Sequence, residues 1–104
     1  MTATIQKELV LETIQIKKAA LILRSVNHNL RRQMLQLLHQ NARMTVTQVY
    51  VKLRLEQSVA SQHLAILRRA GLVNTERQGK FIFYSVNYAR LKQVQELAGQ
   101  LLQI

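Results

Sequence analysis

Hydrophobic positions along this chain follow two periods in succession. Over residues 3–24, Ile5, Leu9, Ile16, Ala20 and Leu23 fall on one helical stripe and Leu11, Ile14 and Leu21 on a second, with no glycine or proline between them. That pattern predicts a long first helix whose apolar surface is wider than one neighbour requires. Asn27 and Asn29 then offer N-cap chemistry for a second helix, in which Leu30, Met34, Leu37 and Leu38 keep i, i+4, i+7, i+8 spacing before the pattern fades around Asn41. A short third helix is expected behind Thr45 or Thr47, carrying Val49, Tyr50 and Leu53. Arg54, Leu55 and Glu56 break it from a fourth, over 57–70, that Gly71 closes. The fourth helix has two unlike faces. Ala60, Leu64 and Leu67 make an inner stripe, and Ser58, Ser61, Gln62, Ala65, Arg68 and Arg69 an outer one.

After Gly71 the period drops to two. Residues 73–77 and 80–86 read as strands linked by Gln78-Gly79, with Val73 opposite Tyr84, Thr75 opposite Ile82, and Phe81 and Phe83 on the other face. Asn87 can cap a last helix over 88–103 with Leu91, Val94, Ala98, Leu101 and Leu102 on its apolar side. The expected order is α-α-α-α-β-β-α: a mainly α chain with one small β-hairpin, forming a single domain over 1–104. Two short helices joined by a tight turn and followed by a basic-tipped hairpin make a winged helix-turn-helix. Its helix-turn-helix spans about 46–70 and its wing about 73–86.

Charge adds a partner to this outline. Fifteen Lys and Arg stand against five Glu and no Asp, a net +10 on 104 residues. Residues 1–42 carry +4, residues 43–92 carry +7 and the remainder −1, so the excess gathers on the fourth helix and hairpin. A polyanion is the natural partner for such a surface, and each phosphate neutralised steepens the salt dependence of binding by about 0.9. A helix that presents Gln, Ser and Arg around a small Ala65 suits entry into a major groove, where those groups meet base edges and phosphates. Candidate DNA contacts are therefore Gln57, Ser58, Ser61, Gln62 and His63, with Arg68, Arg69, Arg77 and Lys80 serving the backbone.

The stretches Asn27 to Leu35, Gln57 to Val73 and Arg77-Gln78-Gly79-Lys80 through Tyr84 resemble the ArsR family of bacterial winged-helix repressors, over residues 19–90 or so. The most specific part is Ser-x-His-Leu-x-x-Leu-x-x-Ala-Gly-Leu-Val at Ser61 to Val73. The resemblance implies a homodimer paired through the first and last helices, with Ile5, Leu9, Ile16, Leu91, Val94, Ala98 and Leu101 at the interface. It also implies binding to a palindromic double-stranded DNA operator. The wide apolar surfaces of both terminal helices point independently to pairing.

Many members of that family sense metals through cysteines near the third helix or an Asp/His set on the last. This chain has no cysteine or aspartate, and its last helix has no histidine. His28, His39 and His63 lie on separate helices without i, i+3 or i+4 pairing, so neither a metal nor another cofactor is expected. His63 reads as a packing and hydrogen-bonding residue beside the reading face. Release from DNA is left to a small-molecule or protein effector in the wing or dimer groove, or to protein concentration alone. Glu56 either points away from DNA or belongs to the turn, with Ser58 as the cap.

An enzyme is not expected, because no paired-carboxylate site, nucleophile with its base or Gly-rich phosphate loop is present. The longest apolar run, residues 19–23, is too short to span a membrane, and charged residues interrupt any signal-peptide pattern. A cytoplasmic, nucleoid-associated protein is the expected setting. Three rivals stand beside the repressor: a basic adaptor for RNA or protein, a metal-responsive version of the same repressor, and a single-strand stacking platform built from Tyr50, Phe81, Phe83, Tyr84 and Tyr88.

Overall fold

The computed structural model describes residues 8–103. It contains α1 (Thr13–Val26), α2 (Asn29–Asn41), β1 (Met44–Thr45), α3 (Val46–Leu53), α4 (Gln57–Arg69), β2 (Val73–Gln78), β3 (Phe81–Val86) and α5 (Tyr88–Leu102). The densest apolar stripe of the sequence, on α2, becomes its centre. Met34 and Leu38 are fully enclosed there, together with Val49 of α3, Leu64 and Leu67 of α4, and Leu72 in the turn that follows. Each such side chain contributes about 1.5–3 kcal/mol on leaving water, so these few account for much of the net stability. The core holds α2, α3, α4 and the sheet as one winged helix-turn-helix.

The helix boundaries follow from their caps. Thr45 starts α3 with a capping box: its hydroxyl accepts from the Gln48 N–H at 3.2 Å while the Gln48 side chain accepts from the Thr45 N–H at 2.9 Å. The α3–α4 turn closes on Arg54, which takes left-handed backbone angles (φ 57°, ψ 49°), so that Leu55 N–H reaches the Tyr50 carbonyl at 2.9 Å. Gly71, at φ +76°, ends α4 in the same manner, with Leu72 N–H on the Leu67 carbonyl at 2.9 Å. Here a side chain would be strained and its Cβ would stand 3.0 Å from Arg90 Nε.

Several expectations require correction. The first helix begins at Thr13, not near residue 3. Residues 8–12 are not helical and Leu9 is 82% exposed; Ile5 and the rest of the predicted start lie outside the described residues. An apolar stripe makes a helix only where it has a surface to pack on, and this end has none within the protomer. Neither Asn27 nor Asn29 caps α2. His28 does, its Nδ1 accepting from the N–H groups of Leu30 and Arg31 at 3.2 and 3.4 Å. The imidazole Nδ1 lies as many bonds from the backbone as an asparagine Oδ1, which is why it can stand in. Asn27 instead ends α1, with its N–H on the Leu23 carbonyl at 3.0 Å.

The sheet has three strands in the order β1-β3-β2, all antiparallel. β1 was not expected because two residues show no period. The hairpin register is shifted by two from the sequence reading: Val73 faces Val86, Thr75 faces Tyr84, and Gly79-Lys80 rather than Gln78-Gly79 forms the link. Gly79 at φ +62° occupies the first loop position, where a two-residue turn needs left-handed geometry. A shift of two leaves every side chain on its predicted face, so Val73 and Val86 still enter the core.

The terminal helices are only thinly anchored. On α1, Ile22, Leu23 and Val26 touch the core, while Ile14, Ile16 and Leu21 are 70, 56 and 58% exposed. On α5, Leu97, Leu101 and Leu102 are exposed. Val94, by contrast, is buried in the protomer's own core, and the half-buried Leu91 packs against that core. Leu91 lines a surface hollow together with Leu35 and His39 of α2 and Val86 of β3. No helix of the described residues is long and apolar enough to cross a membrane.

Asn87 ties α5 to the end of α4. Its Oδ1 accepts from Arg90 N–H at 3.2 Å, its Nδ2 donates to the Gly71 carbonyl at 2.8 Å, and its own N–H reaches Leu72. Asn87→Ala should cost about 1–2 kcal/mol through the lost cap and the stranded Gly71 carbonyl. Urea unfolding checks this; an unchanged midpoint would mean that the cap is dispensable.

Candidate nucleic-acid interface

Helix α4 is held by one face and bare on the other. Ala60, Leu64 and Leu67 are fully buried, while Gln57, Ser58, Ser61, Gln62, Ala65, Arg68 and Arg69 are all exposed. The helix therefore presents the expected polar stripe as a continuous strip from its first turn to its last. Glu56 is the N-cap by backbone geometry (φ −72°, ψ 148°) and its side chain makes no capping bond. Ser58 is thus inside the helix, and the N–H groups of the first turn are not closed by a cap side chain. An uncapped helix start with its dipole pointing outward favours an anion such as phosphate.

His63 differs from its neighbours on the strip. It is half-buried, and its Nδ1 lies 3.1 Å from Arg31 Nη1. Arginine can only donate, so Nδ1 is the acceptor and the ring is the neutral Nε2–H tautomer. Its other face tilts against His28, with ring centroids 4.7 Å apart. Burial, then the charges of His28 and Arg31, pull the His63 pKa below its ordinary value. The packing role read for His63 matches these contacts. The sequence placed the histidines apart, and the fold brings two of them together across α2 and α4.

Arg31 is the buried residue beside this face that the sequence pattern did not single out. It is 8% exposed, and its guanidinium donates from Nε to the Ser25 carbonyl at 2.6 Å and from Nη2 to the Arg24 carbonyl at 3.1 Å. Those are the carbonyls that α1 leaves open at its C-terminus. Arg32 adds the Val26 carbonyl at 3.2 Å. A signal did exist: position 31 lies three before Met34 and seven before Leu38, on the buried stripe of α2, where a charge needs an explanation.

At the wing, Arg77 and Lys80 are both exposed; with the shifted register Lys80 lies in the link itself and Arg77 stands opposite Ile82, one pair back from the tip. Arg43 adds a cation that was not anticipated, stacked 4.2 Å over the Phe83 ring. The aromatic residues do not form a common platform. Tyr50 and Tyr84 pack on the core, Tyr88 meets His39 across α2 and α5 at 2.8 Å, and only Phe81 and Phe83 remain together on the wing, 6.5 Å apart. Among the described residues there is no group of three or more His, Cys, Asp or Glu that could hold a metal ion.

The depressed His63 pKa makes stability depend on pH. Above the ordinary histidine value the site is neutral in both states; as pH falls through it, the unfolded chain takes up the proton first. The native state is thereby disfavoured, so stability should fall from pH 7 toward pH 5. His63→Gln should flatten that slope, as followed by thermal melts at several pH values. An equal slope in both proteins would remove His63 as its source.

The comparisons with known proteins fit this geometry. Residues 28–75 match the family described as bacterial regulatory protein, arsR family. The transcriptional activator HlyU of Vibrio cholerae is 38% identical over 84 residues, 81% of this chain and 77% of that protein. The structure of the transcriptional repressor PagR of Bacillus anthracis superposes at a TM-score of 0.66 with 30% identity, covering 84% of this chain and 99% of that one. NolR from Sinorhizobium fredii superposes at 0.71 with 30% identity, covering 90% and 95%. With HlyU matched over most of both chains and the family pattern lying on the helix-turn-helix itself, this protein belongs to the arsR family of bacterial transcriptional regulators.

Proposed function

We propose that the protein is a homodimeric repressor that binds a palindromic double-stranded DNA operator through α4 and the wing, acting at the nucleoid in the cytoplasm. The observation that carries this reading is α4 itself: one face is locked into the core and the other offers Ser58, Ser61, Gln62 and Ala65 between basic residues. Gln57, Ser58, Ser61 and Gln62 supply base or phosphate contact at the entry end. His63 presents its remaining N–H, and Arg68, Arg69, Arg77 and Lys80 meet the backbone. A small residue at position 65 allows close approach, and the first-turn N–H groups of α4, which no cap side chain closes, offer donors to phosphate against the opposing charge of Glu56 at the N-cap.

Pairing is supported by surface that the protomer does not cover. Exposed apolar surface gathers at the terminal helices: Leu9 just before α1, Ile14 and Ile16 on α1, and Leu97 and Leu101 on α5, with Ala98 half-buried beside them. A two-fold interface through α1 and α5 would bury it and set the two α4 helices about 34 Å apart, one turn of duplex. Of the relatives, PagR is named a repressor and HlyU an activator. Repression is favoured here because the described elements are all used as core, reading head, wing or pairing face, which suits blocking a promoter by occupancy.

A duplex enriched by the protein from a random pool supplies the test. Ser61→Ala with Gln62→Ala should reduce the ratio of selected to random-duplex affinity by about thirtyfold or more, at about 1 kcal/mol or more for each of the two lost base contacts. A retained ratio refutes the readout assignment. Arg77→Ala with Lys80→Ala should instead weaken binding to every duplex and lower the salt slope by about 1 to 2, as seen in mobility shifts at several salt concentrations. An unchanged slope places the wing off the DNA, and stronger binding to RNA than to any duplex overturns the reading as a whole.

A further inference from the structure

A hollow of about 660 Å³ opens between the C-terminal half of α1 and the C-terminal half of α4. Leu21, Ile22 and Ile66 give it an apolar wall, and Lys18, Arg24 and Arg69 stand around it with Arg31. No carboxylate is among its lining residues. The volume lies within the range of small-molecule sites, which typically pair apolar walls with a few convergent polar groups.

Arg31 distinguishes this hollow from an ordinary crevice. The side chain is more than nine-tenths buried, and three of its five N–H groups are taken by Ser25, Arg24 and His63. Among the described residues, the remaining two, one on each Nη, have no acceptor. These free donors belong to a charge that lines the hollow and can take an acceptor from a ligand there, and a carboxylate is the acceptor whose planar geometry suits a guanidinium edge. The surrounding cations add attraction for the same charge, and the apolar wall favours a ligand with a hydrocarbon body.

We propose that this hollow binds a small amphipathic anion, a carboxylate carried on an apolar body, with the carboxylate at Arg31 and its neighbouring cations and the body against Leu21, Ile22 and Ile66. Such a ligand would lie behind the recognition helix. It would place a negative charge beside Arg69 and compete for the guanidinium that holds His63, so it would weaken DNA binding. The regulatory half of the proposal rests on the DNA-binding reading above; the site itself does not.

Decanoate is a suitable probe, with decanol and acetate separating its two halves. Calorimetric titration of the full chain should show one saturable decanoate site per protomer, with amide and methyl NMR shifts centred on Leu21, Ile22 and Ile66. Decanol should bind at least about tenfold more weakly, because it lacks the charge, and acetate should give no saturation. Lys18→Gln with Arg24→Gln, both exposed positions on α1, should weaken decanoate by about tenfold while the chain stays folded by circular dichroism. Equal binding of decanol, shifts that map elsewhere, or full affinity in the double variant would each overturn the site. In the second arm, saturating decanoate should lower affinity for the selected duplex by about fivefold or more. Bound decanoate with unaltered duplex affinity overturns the regulation alone, whereas absence of duplex binding without decanoate overturns the DNA reading and leaves the titration to judge the site.

Discussion

The buried guanidinium of Arg31 is the junction on which the arrangement of the reading head depends. A positive charge below the surface is costly unless dipoles or counter-charges surround it, and among the described residues no carboxylate bonds to it. The compensation comes from backbone. The two last-turn carbonyls of α1 carry the negative end of that helix's dipole and accept from Arg31, while the third partner is an imidazole on α4. One side chain from α2 thus meets the end of α1 and the flank of α4 at the same point. Lysine could not replace it, because a single ammonium cannot reach three acceptors in that planar spread.

This junction explains a contrast between the two ends of the domain. Around it, α2, α3 and α4 are locked by fully buried Met34, Leu38, Val49, Leu64 and Leu67. Away from it, α1 and α5 leave apolar residues in water. A strip of DNA-contacting groups works only if the helix beneath it is rigid to a fraction of an ångström, whereas a pairing surface gains its rigidity on assembly. The fold places its own packing where position matters within one protomer and leaves open the helices that a second copy would fix.

Much of this was legible in the sequence, for specific reasons. Helices α2 to α5 were readable because apolar spacing, the Thr45 and Asn87 caps and Gly71 agreed with one another, although the cap of α2 was assigned to asparagine rather than His28, and the outer strip of α4 followed directly from helical geometry. The hairpin was legible as a hairpin, with its faces assigned correctly, because alternation fixes the face; register was missed because a shift of two satisfies the alternation equally well. β1 was too short to show any period. The start of α1 was overextended because periodicity records which side could be buried, not whether a neighbour exists to bury it. The Arg31–His63–His28 cluster was hidden for a different reason: its members are 32 residues apart at the extremes of one hydrogen bond, and spacing rules along a helix cannot see a contact made across two.

The same cluster bears on how a family known for sensors could operate in a chain with no cysteine and no aspartate. A sensor needs a group whose state is coupled to the position of the recognition helix, and that group need not be a metal ligand. His63 is on α4, its ring is held neutral by a donor that cannot accept, and its proton affinity is lowered by the charges packed against it. Anything that changes the electrostatic balance at Arg31 is therefore felt at the middle of the reading helix, within one hydrogen bond. In the proposed regulation a ligand is a fourth partner for a charge that already has three, and α1, through the carbonyls it offers, sets how freely that charge can be shared.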